Sequence, residues 1–256
     1  GESFPPDKLF RPAESALVIL IIWILLEIVS NFVQQTPPVQ FSIGVTRVPL
    51  MRYNKTMLID IVILLPKNLR RKIGIKMKKE MGHFPNFFVV DNIKLIPHLS
   101  LWHMKTSKNG INKVAQELKQ VTKGQRPIRI SSSKFHTTEK YRGCIEFSVK
   151  KNGDLVILRQ KVFQKINSYK TGIMPSFASF LKIKYSKEKL REIKKYGRPL
   201  GFGPHFTMGW LKNEKDIAGV ARKMQKVKFS FLVNEIYICE IDKWWQVKKI
   251  IKKIDF

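Results

Sequence analysis

The pattern PHLSLW at Pro97–Trp102 returns at Pro204–Trp210 as PHFTMGW, and no other feature limits the folds open to this chain so tightly. The common unit is Pro-His-apolar-hydroxyl-apolar, with His98 and His205 standing 107 positions apart. Alternation of polar and apolar residues behind a proline is the signature of a β-strand, in which residues i and i+2 share a face. Each strand therefore sets one imidazole beside one hydroxyl, His98 with Ser100 and His205 with Thr207. Leu99, Leu101, Phe206 and Met208 turn the other way, toward a core. Two such strands facing each other would surround one small anion with four polar groups.

The repeat extends beyond the strands. Ile111, Val114, Ala115, Leu118 and Val121 follow the first motif, and Ile217, Val220, Ala221, Met224 and Val227 follow the second. Both series have the i, i+3, i+4, i+7, i+10 spacing of an amphipathic helix. A strand and helix repeated in this way mark an internal duplication. Upstream of the first motif, Leu58–Leu65 is a continuous β-branched run suited to a strand buried on both faces. A helix is expected from Asn68, as N-cap, to about Met81, with Leu69, Ile73, Met77 and Met81 inward and a strongly basic outer side. Strands near 128–133 and 143–149 follow, then a helix capped by Asp154. Residues 169–203 show no sustained period and read as a lid or loop, and further strands run near 229–241 and 245–251. The expected fold is α+β and bilobal: two duplicated lobes related by a pseudo-twofold axis, with a central cleft between antiparallel sheets.

Residues 1–56 differ from the rest and form an N-terminal extension to a domain covering 57–256. Its segment 16–33 is almost wholly apolar and just long enough to span a bilayer. The segment is open to reading as a membrane anchor, as a helix packed on the domain, or as sequence upstream of the working protein. Met57 stands directly before the first strand. The formal net charge of +29 favours a polyanionic partner, most simply nucleic acid or an anionic membrane surface. Lysines outnumber arginines about threefold, so an A/T-rich coding bias is a competing source of that charge. Only Cys144 and Cys239 occur, both in apolar strand-like runs, as buried free thiols of a reducing compartment would. No Cys/His cluster has zinc spacing and no phosphate-binding glycine motif is present, so neither a metal nor a cofactor is expected.

HLSL at His98–Leu101 and HFTM at His205–Met208 match the paired H-x-[ST]-x signature of the two-histidine phosphoesterase superfamily. With Gly209 after the second motif, the chain resembles the 2′-5′ RNA ligase and cyclic phosphodiesterase branch over about 57–256. That resemblance implies a bilobal fold and metal-independent chemistry on a 2′,3′-cyclic phosphate or a 2′-5′ phosphodiester end of RNA. It also implies acid and base roles for His98 and His205, and phosphate binding by Ser100 and Thr207. The N-terminal extension is foreign to the family pattern, and Trp210 stands where a basic residue often follows the glycine.

The chemistry also follows from the residues. Opening a cyclic phosphate requires one group to deprotonate water and another to protonate the departing ribose oxygen, and imidazole serves either role near neutrality. The two hydroxyls can hydrogen-bond the non-bridging oxygens. Phe202 is a candidate for stacking a base, and Arg142 and Arg198 for meeting phosphate. His103, five residues beyond His98, is expected on the opposite face of its strand, and His83 and His136 in loops, all three structural. The expected partner is RNA or a small cyclic nucleotide, met by a monomer in the cytoplasm, with membrane tethering if 16–33 is an anchor. A non-catalytic RNA-binding protein and a basic membrane-surface protein are the competing classes.

Overall fold

A computed structural model describes residues 56–137, 143–175 and 184–256. The apolar segment 16–33 and Arg142 lie outside the described residues. Among the described residues no helix is long and apolar enough to cross a membrane.

The fold is α+β. In chain order the elements are β1 (Thr56–Leu64), α1 (Lys67–Met81), β2 (Asn86–Val89), β3 (His98–Ser107), α2 (Lys108–Thr122), β4 (Ile128–Thr137), β5 (Cys144–Val149) and α3 (Gly153–Ile166). There follow α4 (Lys187–Tyr196), β6 (His205–Leu211), α5 (Ile217–Met224), β7 (Ser230–Val233), β8 (Glu235–Ile241) and β9 (Val247–Asp255). Every pairing is antiparallel, and the strands run in the order β7, β4, β5, β6, β3, β1, β8, β9, with β2 added to β6.

The predicted helices bury most of the predicted stripes, although α5 ends before Val227 and buries fully only Val220 and Met224 of its five. Ile73, Met77 and Met81 of α1 are inside, as are Ile111, Val114, Ala115, Leu118 and Val121 of α2. Helix α2 is capped by Ser107, whose hydroxyl accepts from Gly110 N at 3.0 Å. Two expected caps are replaced by neighbours. Helix α1 starts at Lys67 behind Pro66 with no side-chain cap, and Asn152 rather than Asp154 caps α3, accepting from Leu155 N at 2.7 Å. Within the stretch read as a loop stands α4, opened by Ser186 and closed by Gly197 at φ +84°. It buries none of its residues fully; its apolar side is short, Leu190, Ile193 and Tyr196, and too brief to stand out as a sustained period.

The duplication governs the sheet in a way the halves do not show separately. Strands β3 and β6 lie side by side at the centre, flanked by β1 and β5 respectively. A strand downstream of each repeat helix then crosses over: β4, directly after α2, pairs with β5 of the second half, and β8, which follows α5 and the short β7, pairs with β1 of the first. The order is therefore palindromic about the β3/β6 junction. The antiparallel strands of the two halves are joined at that line into one continuous sheet.

Both motif strands also carry an irregularity at the same place. Pairing passes from Ile61↔Trp102 to Val62↔Ser100, which leaves Leu101 as an extra residue. It passes likewise from Ile145↔Gly209 to Glu146↔Thr207, leaving Met208 extra. A bulge of this kind bends the strand and re-aims the side chains beyond it. Next to the second bulge, Gly143 opens β5 at φ +85°, where a Cβ would come within 2.3 Å of the Leu211 carbonyl oxygen. Gly143→Ala is expected to destabilise the protein by at least about 1–2 kcal/mol, the cost of an L-residue in the left-handed region. Denaturant unfolding would register this as a lower midpoint at unchanged slope.

Candidate active site

Strands β3 and β6 meet through the pair Leu99↔Phe206, both fully buried. Antiparallel progression from that pair sets His98 across from Thr207 and Ser100 across from His205. All four line one cleft of about 370 Å³, together with Arg198 and Phe202. Leu99, Leu101, Phe206 and Met208 point into the core as the alternation requires. The two imidazoles differ in access: the His98 side chain is 3% exposed and that of His205 41%.

Each imidazole is anchored in the same way. His98 Nδ1 lies 2.8 Å from the Ile96 carbonyl oxygen, and His205 Nδ1 lies 2.6 Å from that of Gly203. A carbonyl only accepts, so Nδ1 carries the hydrogen and Nε2 is left for proton transfer. The acceptor is in both cases two residues back, across the motif proline. Proline fixes its own φ and holds the preceding residue extended, which gives Pro97 and Pro204 a role in orienting the rings.

Behind His98 lies Asp60, a carboxylate of β1 with no exposed surface. Its Oδ2 accepts from Ser100 Oγ at 2.6 Å and lies 3.1 Å from His103 Nε2 and 3.6 Å from His98 Nε2. His103 Nδ1 meets Arg198 Nη1. A guanidinium only donates, so His103 accepts at Nδ1 and turns its Nε2–H toward Asp60. Burial pushes His103 down to about 4, against the pull of Asp60 and with the help of Arg198. Burial opposes ionisation of Asp60 as well, but His103, His98 and Ser100 around it hold the carboxyl below the usual range. His98 is itself lowered, first by burial, with Asp60 and the Ile96 carbonyl working against that.

Behind His205 the arrangement recurs with different residues. Glu146 of β5 places Oε2 3.5 Å from His205 Nε2 and Oε1 3.4 Å from His136 Nε2, and Ser148 Oγ is 3.2 Å from His136 Nδ1. Both cysteines are buried free thiols. Burial, then the Glu146 charge, pushes Cys144 up to about 12, so this cleft-lining thiol is no nucleophile.

Two histidines expected to be structural thus stand within the site's hydrogen-bond network. His103 shares the face of Ser100 because the bulge at Leu101 inserts one residue into the alternation. His136 lies in β4 opposite Glu146 rather than in a loop. His83 does stay apart, its ring 4.0 Å from that of Phe84. Phe202 and Arg198 line the cleft. The Phe202 ring has the Arg159 guanidinium 5.5 Å from its centroid, and Arg198 stands 5.1 Å from Trp102 and 5.9 Å from Trp245. Among the described residues no group of three or more His, Cys, Asp or Glu is arranged to hold a metal ion.

An aromatic wall completes the cleft: Phe88, Trp210, Trp244 and Trp245, with Gln246. Trp210 packs edge-on against Phe87 and Trp244, at 5.3 and 5.6 Å. The turn between β8 and β9 presents the two adjacent tryptophans. Asp242 Oδ1 accepts from Trp244 N at 2.8 Å and Gln246 N at 2.9 Å, which holds Trp245 at φ +61°. A bulky residue in that region is strained, and such strain concentrates where a side chain must be aimed.

Neither the protein-family models nor the curated proteins contain a match to this chain. Solved structures do resemble it. Escherichia coli LigT complexed with 3′-AMP superposes at a TM-score of 0.49 with 12% identity, over 79% of this chain and 98% of that one. A structure described as a phosphoesterase gives 0.47 with 14% identity, over 79% and 99%. The protein TT0787 of Thermus thermophilus gives 0.47 with 14% identity, over 78% and 97%.

Proposed function

We propose that this protein is a metal-independent phosphodiesterase of RNA ends, acting on 2′,3′-cyclic phosphates or 2′-5′ phosphodiesters, with 2′-5′ ligation as the reverse of the same chemistry. The observation that carries the reading is the pair of imidazoles on adjacent central strands. Both are tied at Nδ1 to a carbonyl, and both leave Nε2 at one shared cleft. In-line displacement at phosphorus needs a base on the side of the incoming water and an acid on the side of the departing ribose oxygen. Two histidines from strands related by duplication supply one of each. Thr207 offers its hydroxyl to a non-bridging oxygen. Ser100 does so only by turning from Asp60, to which it donates at 2.6 Å. The aromatic wall suits an unpaired base, which can stack on its rings. The net charge of +29 suits a polyanionic chain beyond that base.

The test is hydrolysis of a panel of 2′,3′-cyclic mononucleotides and 2′-5′-linked dinucleotides with EDTA present. The expected result is formation of a monoester product at a rate that chelation leaves unchanged, because the histidines provide both proton transfers. Loss of activity on chelation, restored by a divalent ion, would overturn the mechanism.

A further inference from the structure

Resting on the two-histidine reading above, the geometry points to Asp60 and Glu146 as positioning residues, one for each imidazole, that fix His98 as the base and His205 as the acid. Both carboxylates stand at 3.5–3.6 Å from Nε2, the nitrogen that must take or give the proton. Neither approaches Nδ1, which a carbonyl already occupies. They therefore do not choose the tautomer. They act on the proton in transit, since an imidazolium Nε2–H gains an adjacent anion that the neutral ring does not use.

Coincidence is a poor account of the two distances. Across the bulges, Glu146 corresponds to Val62 and Asp60 to Cys144, because Val62 and Glu146 face the motif hydroxyls while Asp60 and Cys144 face His103 and Trp210. Two different backbone positions thus deliver a carboxylate to the same distance from the same atom. Each carboxylate also has a second histidine on its far side, His103 for Asp60 and His136 for Glu146.

The two surroundings separate the roles. Asp60 is wholly buried and already receives the Ser100 O–H and the His103 N–H, the latter ring locked by Arg198. His98 beside it is shut from water, and burial outweighs Asp60 in holding Nε2 bare. When His98 takes the proton of the attacking water, Asp60 is in place to stabilise the cation. His205 is the open member of the pair. Its Nε2 lies 3.5 Å from Glu146 Oε2 with water able to reach the ring, which sets an anion beside the proton to be passed to the leaving ribose oxygen. The charged groups facing His98 are Asp60 of β1, His103 of β3, His205 of β6 and Asp242 of the turn between β8 and β9. Those facing His205 are Glu146 of β5, His98 of β3 and, through Glu146, His136 of β4.

The pH dependence of kcat/KM on a 2′,3′-cyclic mononucleotide distinguishes the two carboxylates. Asp60→Asn removes an anion from the base, so the acid limb is expected to move to lower pH by about one unit or more while the alkaline limb stays. Glu146→Gln removes an anion from the acid, so the alkaline limb is expected to move down by a similar amount and the acid limb to stay. Asp60→Glu, which keeps the charge, should restore the wild-type acid limb. Unmoved limbs in both amide variants would overturn the proposal, and so would each variant moving the other limb. Should Asp60→Asn fail to fold, the Glu146→Gln profile decides by itself, and an unmoved alkaline limb in that variant overturns the proposal. Loss of the underlying two-histidine reading would show differently, as turnover that survives the histidine-to-alanine changes.

Discussion

His98→Ala and His205→Ala are each expected to lower turnover of a 2′,3′-cyclic nucleotide by about 100- to 10,000-fold, the range for losing one positioned proton-transfer group. The double variant should fall far short of the product of the two losses, because groups that act in one displacement are not independent. Ser100→Ala and Thr207→Ala each remove one neutral hydrogen bond to the phosphate, and should cost about tenfold to a hundredfold. The structure adds a distinction between the hydroxyls. Ser100→Ala also takes a donor from the buried Asp60, so it should lower stability as well as rate, whereas Thr207→Ala should lower rate alone. Steady-state kinetics with thermal unfolding of the same five variants measures all of this.

The second large effect concerns stability. Phe206 is fully buried between the motif histidine and the motif threonine, and its backbone forms the pair with Leu99 that joins the central strands. Its ring meets Phe229 at 5.7 Å and Phe231 at 6.4 Å. Phe206→Ala is expected to cost about 3–5 kcal/mol through lost burial and the cavity left behind. Against a total stability of about 5–15 kcal/mol, that is enough to lower the thermal midpoint sharply. Phe206→Leu, which keeps most of the volume, should cost much less. If both variants unfold like the wild type, the junction between the halves is held by something other than this core.

Much of the site was legible because its residues repeat. A histidine, a hydroxyl and two apolar neighbours behind a proline, written twice and followed twice by one helical stripe, were enough to bring His98, Ser100, His205 and Thr207 to a common cleft. The proline appeared only as a strand boundary, and its part in holding the Nδ1 acceptor emerged from the backbone. His103 was misplaced because a period of two assumes unbroken pairing, and one bulged residue sends every side chain beyond it to the other face. Nothing in LSLW announces that Leu101 is the extra residue. The crossing of β4 and β8 into opposite halves was equally hidden, since an amphipathic stripe says which side of a helix is buried and not which strand comes next.

Asp60 and Glu146 are a different case, because a signal was present. LIDIVILL and CIEFSV each hold one carboxylate in a run otherwise fit for a buried strand, and a charge there is costly unless donors surround it. Such a residue implies partners that periodicity cannot name. Trp245 reads in the sequence as the start of a strand, with Trp244 just before it. They reach the cleft because the Asp242 turn postpones β9 to Val247.

The central claim is that the two imidazoles meet the substrate in opposite protonation states. It is tested most directly by kcat/KM of the wild-type protein across pH on a 2′,3′-cyclic mononucleotide in EDTA. The base must be neutral and the acid protonated, so the profile should be bell-shaped. Because burial lowers His98, its acid limb should lie below the ordinary imidazole range. A rate that climbs without a maximum through alkaline pH would contradict an imidazolium acid, and with it the paired-histidine mechanism.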